Sequence, residues 1–412
     1  MGQASITRQS ADRLADHLVA LRRELHQIPE VGLDLPQTQA RLLTELEGLP
    51  LEISLGESLT SITAVLRGGA APDDLAQRPV VLLRGDMDAL PVDEQTGLEF
   101  ASSNGAMHAC GHDLHMAVLV GAVKVLCELS DDLAGDVVFM FQPGEEGRNG
   151  ASHMLREGIL DAAGKRVDAA FALHVFSALE RAGTFATRPG TIMASSDLFH
   201  VTVTGRGGHG STPHLALDPV PALAEIATAF HTLVTRKFSI FNPVVVTVGQ
   251  IHAGTAGNVI PENGFLEATL RTFDRDVRTR LIAELERVAV GIGEAHGVEI
   301  TTNLEGLYPV TVNDDDQFAF TADTIRELFG DDRFVEWAQP LAGAEDFSQV
   351  LEEVPGCYIG LGAVPDDLDP QTAPFNHSAY AVFDDSVLAD GAALLAELAV
   401  RTITRLNNQK EG

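Results

Sequence analysis

The sequence predicts an α/β protein in which a larger domain, built on a mixed, mostly parallel sheet, carries an inserted, smaller α+β domain made of an antiparallel sheet and two helices. Three observations predict it. Unbroken apolar runs such as VVLL from Val80 and VVFMF from Val137 have the pattern of strands buried on both faces, as strands of parallel sheets are. Each run leads into polar residues and then a helical stretch, the rhythm of α/β units. After Gly190 the pattern changes, because DLFHVTVTG and GFLEATLRTF alternate apolar and polar residues like strands with one solvated face. The expected division is 1–188 and 305–412 for the larger domain and 189–304 for the insertion.

In chain order, Leu14, Leu18, Leu21, Leu25 and Ile28 recur at helical spacing across residues 7–28 and stop at Pro29. A second helix is expected over 36–47, opening with Pro36 and closing at Gly48. Runs from Ile62 and Pro79 read as strands, the second delivering Arg84, Asp86 and Asp88 to the carboxyl end, where open α/β sheets bind ligands. Next come a helix over 115–129, a strand from Asp136 that ends in PGEEG, a helix over 151–160, and a strand from Ala169 that ends on His174. In the insertion, strands begin near Asp197, Val244 and Gly264, with helices over 218–235 and 275–296. The remainder reads as a helix over 316–329, a glycine-rich AGAEDFS, a strand from Gly356, a loop containing NHS and a terminal helix over 386–406.

Composition narrows the function classes. A 412-residue chain that is 45% hydrophobic and 6% aromatic has a globular balance. A formal charge of −31 with only 28 Lys and Arg argues against a nucleic-acid surface, which needs clustered cations. The amino-terminal stretch has no apolar core of signal-peptide length, and no run approaches a membrane span. Cys110, Cys127 and Cys357 are odd in number and widely spaced, which is no disulfide framework. A cytoplasmic protein without a membrane or nucleic-acid partner is the expectation.

The chemistry is concentrated in residues 107–115, MHACGHDLH. Cys110 and His112 are one residue apart, so in an extended segment or tight loop both side chains leave one side of the backbone and can meet one ion. Thiolate and imidazole suit zinc and the later divalent first-row metals. Too few donors lie here for a closed site, so others must come from elsewhere in the chain. Glu145 and Glu146 are adjacent and follow a strand; one can hold a metal while the other meets water, although a solvated acidic turn is the commoner fate of such a pair. His174 lies in an apolar run and His377 in a loop, and each alone is more often an ordinary histidine than a ligand. Together with Cys110, His112 and Glu146 they make five donors, enough for two ions sharing one bridging group. In the insertion, GRGGHGSTPH contains His209 and His214, NVIP follows Gly257 with Asn258, and Arg271 sits in an alternating strand. A fixed guanidinium there matches a carboxylate bidentately.

RGDMDALP, MHACGHD, PGEEG, LHV, GGHGSTPH, NVIP, the AEDF stretch and NHS, in this order and at these intervals, resemble the amidohydrolase branch of the aminoacylase/carboxypeptidase metallopeptidases. That branch includes indole-acetyl-amino-acid hydrolases, hippurate hydrolase and N-acetyldiaminopimelate deacetylases. The resemblance runs from about residue 20 to 400. It implies a catalytic α/β domain with a dinuclear centre and a smaller lid domain commonly used for dimerisation. By position, the ligands fall on Cys110, His112, Glu146, His174 and His377, the general base on Glu145 and the supporting aspartate on Asp88. His209 falls where an oxyanion-steadying histidine stands, and Asn258, Arg271 and His214 among the substrate-binding positions. Asp86 stands where the wider superfamily has a metal-binding histidine, a departure typical of this branch, which leaves open which ligand bridges the metals.

The implied activity is hydrolysis of an N-acyl amino acid to a carboxylate and a free amino acid through a metal-activated water, with two divalent ions (zinc, manganese, nickel or cobalt) and a homodimer or larger homo-oligomer. A dipeptidase or carboxypeptidase on the same fold is the alternative. A non-catalytic metal-binding relative and a cysteine-nucleophile amidase using Cys110 and His112 stand further back.

Overall fold

Eight strands form the main sheet, in the order Leu51–Leu55, Ile62–Leu66, Asp136–Gln142, Val80–Asp86, Ala169–Arg181, Gly356–Val364, Phe185–Thr187 and Phe334–Glu336. The four central strands, from Asp136–Gln142 to Gly356–Val364, are mutually parallel; Ile62–Leu66 on one side and Phe185–Thr187 on the other join them antiparallel, and Phe334–Glu336 pairs parallel with Phe185–Thr187. The computed structural model describes residues 5–411, and its chain forms two compact units. Of the described residues, the larger comprises 5–190, 312–339 and 349–411; the smaller comprises 191–311 and 340–348.

In the larger unit, the helices Ile6–His26, His112–Glu128 and Leu388–Glu411 pack on one another and against the sheet. The middle one is buried along most of its length, as expected of a helix apolar on all sides. Residues of these helices and of the central strands form one apolar core, with Leu18, Leu119, Phe139 and Phe171 fully buried.

In the smaller unit, Val244–Ala253, Asn263–Thr272, Ser196–Thr204 and Glu299–Tyr308 form a four-stranded antiparallel sheet in that order. Helices Pro219–Lys237 and Arg275–His296 pack on its apolar face around Phe199, Phe230, Leu266 and Leu285. Asp218 and Asp274 cap the two helices by accepting from the backbone N–H of Val220 and Val277. Among the described residues, no helix is long and apolar enough to cross a membrane.

Several elements differ from the sequence expectation. The strand from Ala169 does not stop at His174 but continues to Arg181, since Val175 and Phe176 still pair with Leu361 and Gly362. The helix expected from 115 begins at His112, one turn earlier, because Gly111 at φ 86° makes the entry turn. Strand Leu51–Leu55 and helix Ser348–Glu353 have no counterpart in the sequence pattern; the strand is a five-residue edge, mostly exposed, with no buried face to impose a period.

Candidate metal centre

The main-sheet strands deliver their polar ends to one region. Val80–Asp86 leads to Asp88, Asp136–Gln142 to the Glu145–Glu146 turn, and Ala169–Arg181 carries His174. Gly111 connects Cys110 to the helix beginning at His112; its φ of 86° suits glycine, and a Cβ there would lie 2.4 Å from Val175 Cγ2.

Ligand atoms of Cys110, His112 and His174 all lie within 4.8 Å of one another, and so do those of Cys110, Glu146 and His377. Cys110 is common to the two groups. Glu145 comes within the same 4.8 Å of His112 and Glu146 but joins neither Cys110-centred group. Cys110 Sγ is 3.4 Å from His174 Nε2, and Glu146 Oε1 is 3.1 Å from His377 Nε2.

Two of the imidazoles are oriented by a hydrogen bond through Nδ1. His112 Nδ1 donates to the Asp88 carbonyl at 2.7 Å and His174 Nδ1 to the Val175 carbonyl at 2.8 Å, so both rings turn Nε2 away from these carbonyls. The Asp88 carboxylate accepts the backbone N–H of Glu145 at 2.9 Å and of Glu146 at 3.0 Å, which fixes the turn carrying both glutamates. Asn376 braces the other side: its Nδ2 donates to the carbonyls of Val175 and Cys110 at 3.0 and 3.1 Å, while its Oδ1 accepts from Ser177 N at 3.0 Å. The next residue, His377, has φ 74°, a conformation a non-glycine residue adopts only where its surroundings hold it.

The donor set fits divalent cations. Buried Nε2 of His112 has no hydrogen-bond partner among the described residues, and such an atom is costly unless something else satisfies it. Burial, reinforced by the charges of Glu146, Glu145 and Asp86, pushes the Cys110 thiol well above its ordinary value. Burial opposes a charge on His112, yet Asp86, Asp88 and Glu146 carry it up to about 10. This crowd of buried negative groups needs positive charge, and thiolate, imidazole and carboxylate donors suit zinc or a later first-row divalent ion.

Asp86 has other partners. Arg84 Nη1 donates to its Oδ2 at 2.6 Å and His115 Nδ1 to its Oδ1 at 2.5 Å, and despite burial the Arg84 guanidinium, with His112 and the His115 hydrogen bond, holds its carboxyl well below the usual range. His115 Nε2 accepts from Val175 N at 2.8 Å, which sets the tautomer. His115 and Asn376 were not singled out from the sequence. The signal for His115 was its three-residue spacing from His112 on one helix face; Asn376 had none beyond adjacency to His377. Beneath the loop, Asp113 takes His26 Nδ1 at 2.7 Å and Arg22 Nε at 2.8 Å, and His26 Nε2 lies 3.2 Å from Glu94. His108 is buried, and burial pushes it down to about 3, so it is a neutral packing residue beside His26.

His209, His214, Asn258 and Arg271 lie in the smaller unit. Within it, His209 and Val259 pair in a two-strand ladder, and Gly210 N donates to the Asn258 carbonyl at 2.9 Å. His209 Nδ1 accepts from Ser211 N at 3.1 Å and lies 2.7 Å from Ser211 Oγ, so the proton sits on Nε2, a donor on an exposed ring. His214 is exposed on the short turn Pro213–Leu215. Arg271 is half-buried, and burial lowers its pKa against the pull of Asp197.

Residues 82–401 match the model of peptidase family M20/M25/M40. Thermostable carboxypeptidase 1 of Saccharolobus solfataricus is 35% identical over 393 residues, 94% of this chain and 96% of that protein. IAA-amino acid hydrolase ILR1-like 2 of Arabidopsis thaliana is 36% identical over 391 residues, 94% of this chain and 85% of that protein. N-acetylcysteine deacetylase of Bacillus subtilis is 33% identical over 385 residues, 93% and 96% of the two chains. A crystal structure from Bacillus subtilis, a dinuclear metal binding peptidase of the M20 family, superposes with a TM-score of 0.80 at 30% identity, covering 95% of this chain and 99% of that one.

Proposed function

The chain belongs to peptidase family M20/M25/M40, and from that premise we propose that it is a metal-dependent amidohydrolase that cleaves N-acyl amino acids to a carboxylate and a free amino acid. The observation that carries this reading is the pair of donor groups joined at Cys110, with a further carboxylate, Glu145, beside them. Cys110, His112, Glu146, His174 and His377 would hold the ions, with Cys110 common to both groups. Two divalent ions held there supply Lewis acidity to an amide carbonyl and lower the pKa of a water. Glu145 receives the proton of the attacking water on a carboxylate oxygen and returns it to the departing nitrogen. Asp88 holds Glu145, Glu146 and His112 in position.

The smaller unit serves as a lid. His209 donates from Nε2 to the developing oxyanion, a contribution typically worth about a hundredfold to a thousandfold in rate. Arg271 pairs with the substrate carboxylate, and Asn258 and His214 hold its backbone. Strand Val244–Ala253 lies at the free edge of its sheet, with Val245 and Ile251 exposed and Ile240 and Phe241 beside it 85% and 86% exposed; this edge is the contact of a homodimer. A cytoplasmic location accords with three free cysteines.

The test is release of free amino acid from N-acetyl, N-benzoyl and indole-acetyl amino acids and from unblocked dipeptides, by protein stripped with chelator and reloaded with zinc or manganese. Metal-dependent cleavage of the acylated set is expected. The carboxypeptidase relative keeps a second reading in play, and cleavage of peptides alone would establish it instead. Retained activity after stripping would point to the Cys110 amidase.

A further inference from the structure

An aromatic wall rises from the same two segments that carry His174 and His377. Phe176 follows His174 by two residues on one strand, so both leave the same sheet face, and their rings are 4.9 Å apart. Phe375 precedes His377 by two residues and stacks on Phe176 at 6.2 Å and 24°. Trp337, the chain's only tryptophan, meets Phe176 edge-on at 5.5 Å and 78°. Its Nε1 donates to Glu180 Oε1 at 3.0 Å, which fixes the indole plane. Gly360, paired in register with His174, makes room for it: a Cβ there would lie 2.7 Å from Trp337 Cη2 and 3.0 Å from Phe176 Cε2.

The wall has an open end. Phe176 is buried at 4% exposure, whereas Phe375 is 47% exposed. Aromatic rings attract further rings in offset or edge-on packing at centroid separations of about 4.5–7 Å. An acetyl group has a single methyl to bury and cannot use such a surface, whereas a planar ring attached to the scissile carbonyl can extend from the donors along it. We propose that Phe176, Trp337 and Phe375 form the acyl subsite and select a planar aromatic acyl group over acetyl. This inference rests on the amidohydrolase reading above.

The test compares kcat/KM for N-benzoyl-alanine and N-acetyl-alanine in the metal-loaded protein and in its Phe375→Ala variant. The benzoyl substrate is expected to be preferred, with the benzoyl-to-acetyl ratio falling about tenfold in the variant, the scale of specificity that a lost apolar contact commands. Trp337, as sole tryptophan, supplies a second readout that needs no wall variant. In the slow Glu145→Gln protein its emission should change on adding N-benzoyl-alanine and not on adding N-acetyl-alanine. Preference for the acetyl substrate, an unchanged ratio in Phe375→Ala, or a silent Trp337 would overturn the acyl subsite and leave the amidohydrolase reading standing. Cleavage of neither substrate would overturn both.

Discussion

Asp88 serves the centre through two different groups: its carboxylate accepts the N–H of Glu145 and Glu146 at 2.9 and 3.0 Å, and its main-chain carbonyl accepts from His112 at 2.7 Å. Asp88→Asn keeps the carbonyl contact but presents a donor where two N–H groups converge. It should weaken metal retention or turnover by about ten- to a hundredfold, as removal of partners that orient ligands typically does; metal content after dialysis and kcat measure it. Glu145→Gln separates the proposed base from the proposed ligands. It should retain both ions while kcat falls by about a hundredfold to ten-thousandfold, and near-normal turnover would remove Glu145 from the base role. At this scale the sequence was readable where residue type and spacing coincide, as in Cys110 and His112. It was unreadable for His115 and Asn376, whose work consists of hydrogen bonds to chain segments remote in sequence, such as Val175 and Ser177.

Among the elements, the layer of helices over the sheet is tied together by one carboxylate. Glu45 on helix Pro36–Leu46 lies 2.7 Å from His17 on Ile6–His26 and 3.0 Å from Lys124 on His112–Glu128, and Arg41 on its own helix lies 2.8 Å away. Burial raises its pKa, but Lys124, Arg41 and His17 together bring it down from 4.5 to about 2. Since the folded value lies below the unfolded one, the stabilisation is complete above about pH 4.5 and is lost as pH falls toward 2. Because His17 and part of the site are open to solvent, which screens the pairs, the shift sets an upper bound of about 3 kcal/mol at neutral pH. Glu45→Gln should therefore cost up to about 3 kcal/mol at pH 7 and flatten the acid side of the stability profile, read by urea unfolding at pH 7 and pH 3. An identical loss at both values would show that packing, not charge, is at stake. Helix Ile6–His26 of this layer was legible because its apolar stripe keeps a period of about 3.6, and Pro36–Leu46 because Pro36 opens it and Gly48 follows it. The strand through His174 was misjudged because a histidine looks like a strand end in sequence, while cross-strand pairing with Gly356–Val364 carries it onward.

Across the whole molecule, the two units each have their own apolar core, and all five proposed ligands belong to the larger. The shift of alternation after Gly190 made the insertion visible. Invisible in sequence was the return of residues 340–348 to the smaller unit, where Leu341 N donates to the Ile192 carbonyl at 2.8 Å, a contact with no local pattern. This division predicts where metal energy goes. An ion that binds the folded state alone stabilises it by about 2.7 kcal/mol at a hundred times its dissociation constant, and here it also relieves the buried negative charge around Cys110. Chelation should lower the melting midpoint of the larger unit by several degrees, at roughly 2–4 °C per kcal/mol for a unit of this order of size. The chain's net charge of −31 adds a diffuse repulsion that salt screens, so the metal-dependent part should persist at high ionic strength. Hydrogen exchange resolves the two units: amides of Val80–Asp86 and His112–Glu128 should lose protection on chelation, while those of Ser196–Thr204 and Asn263–Thr272 keep theirs. Equal loss in both units would mean that the chain unfolds as one cooperative body and that the metal centre stabilises all of it.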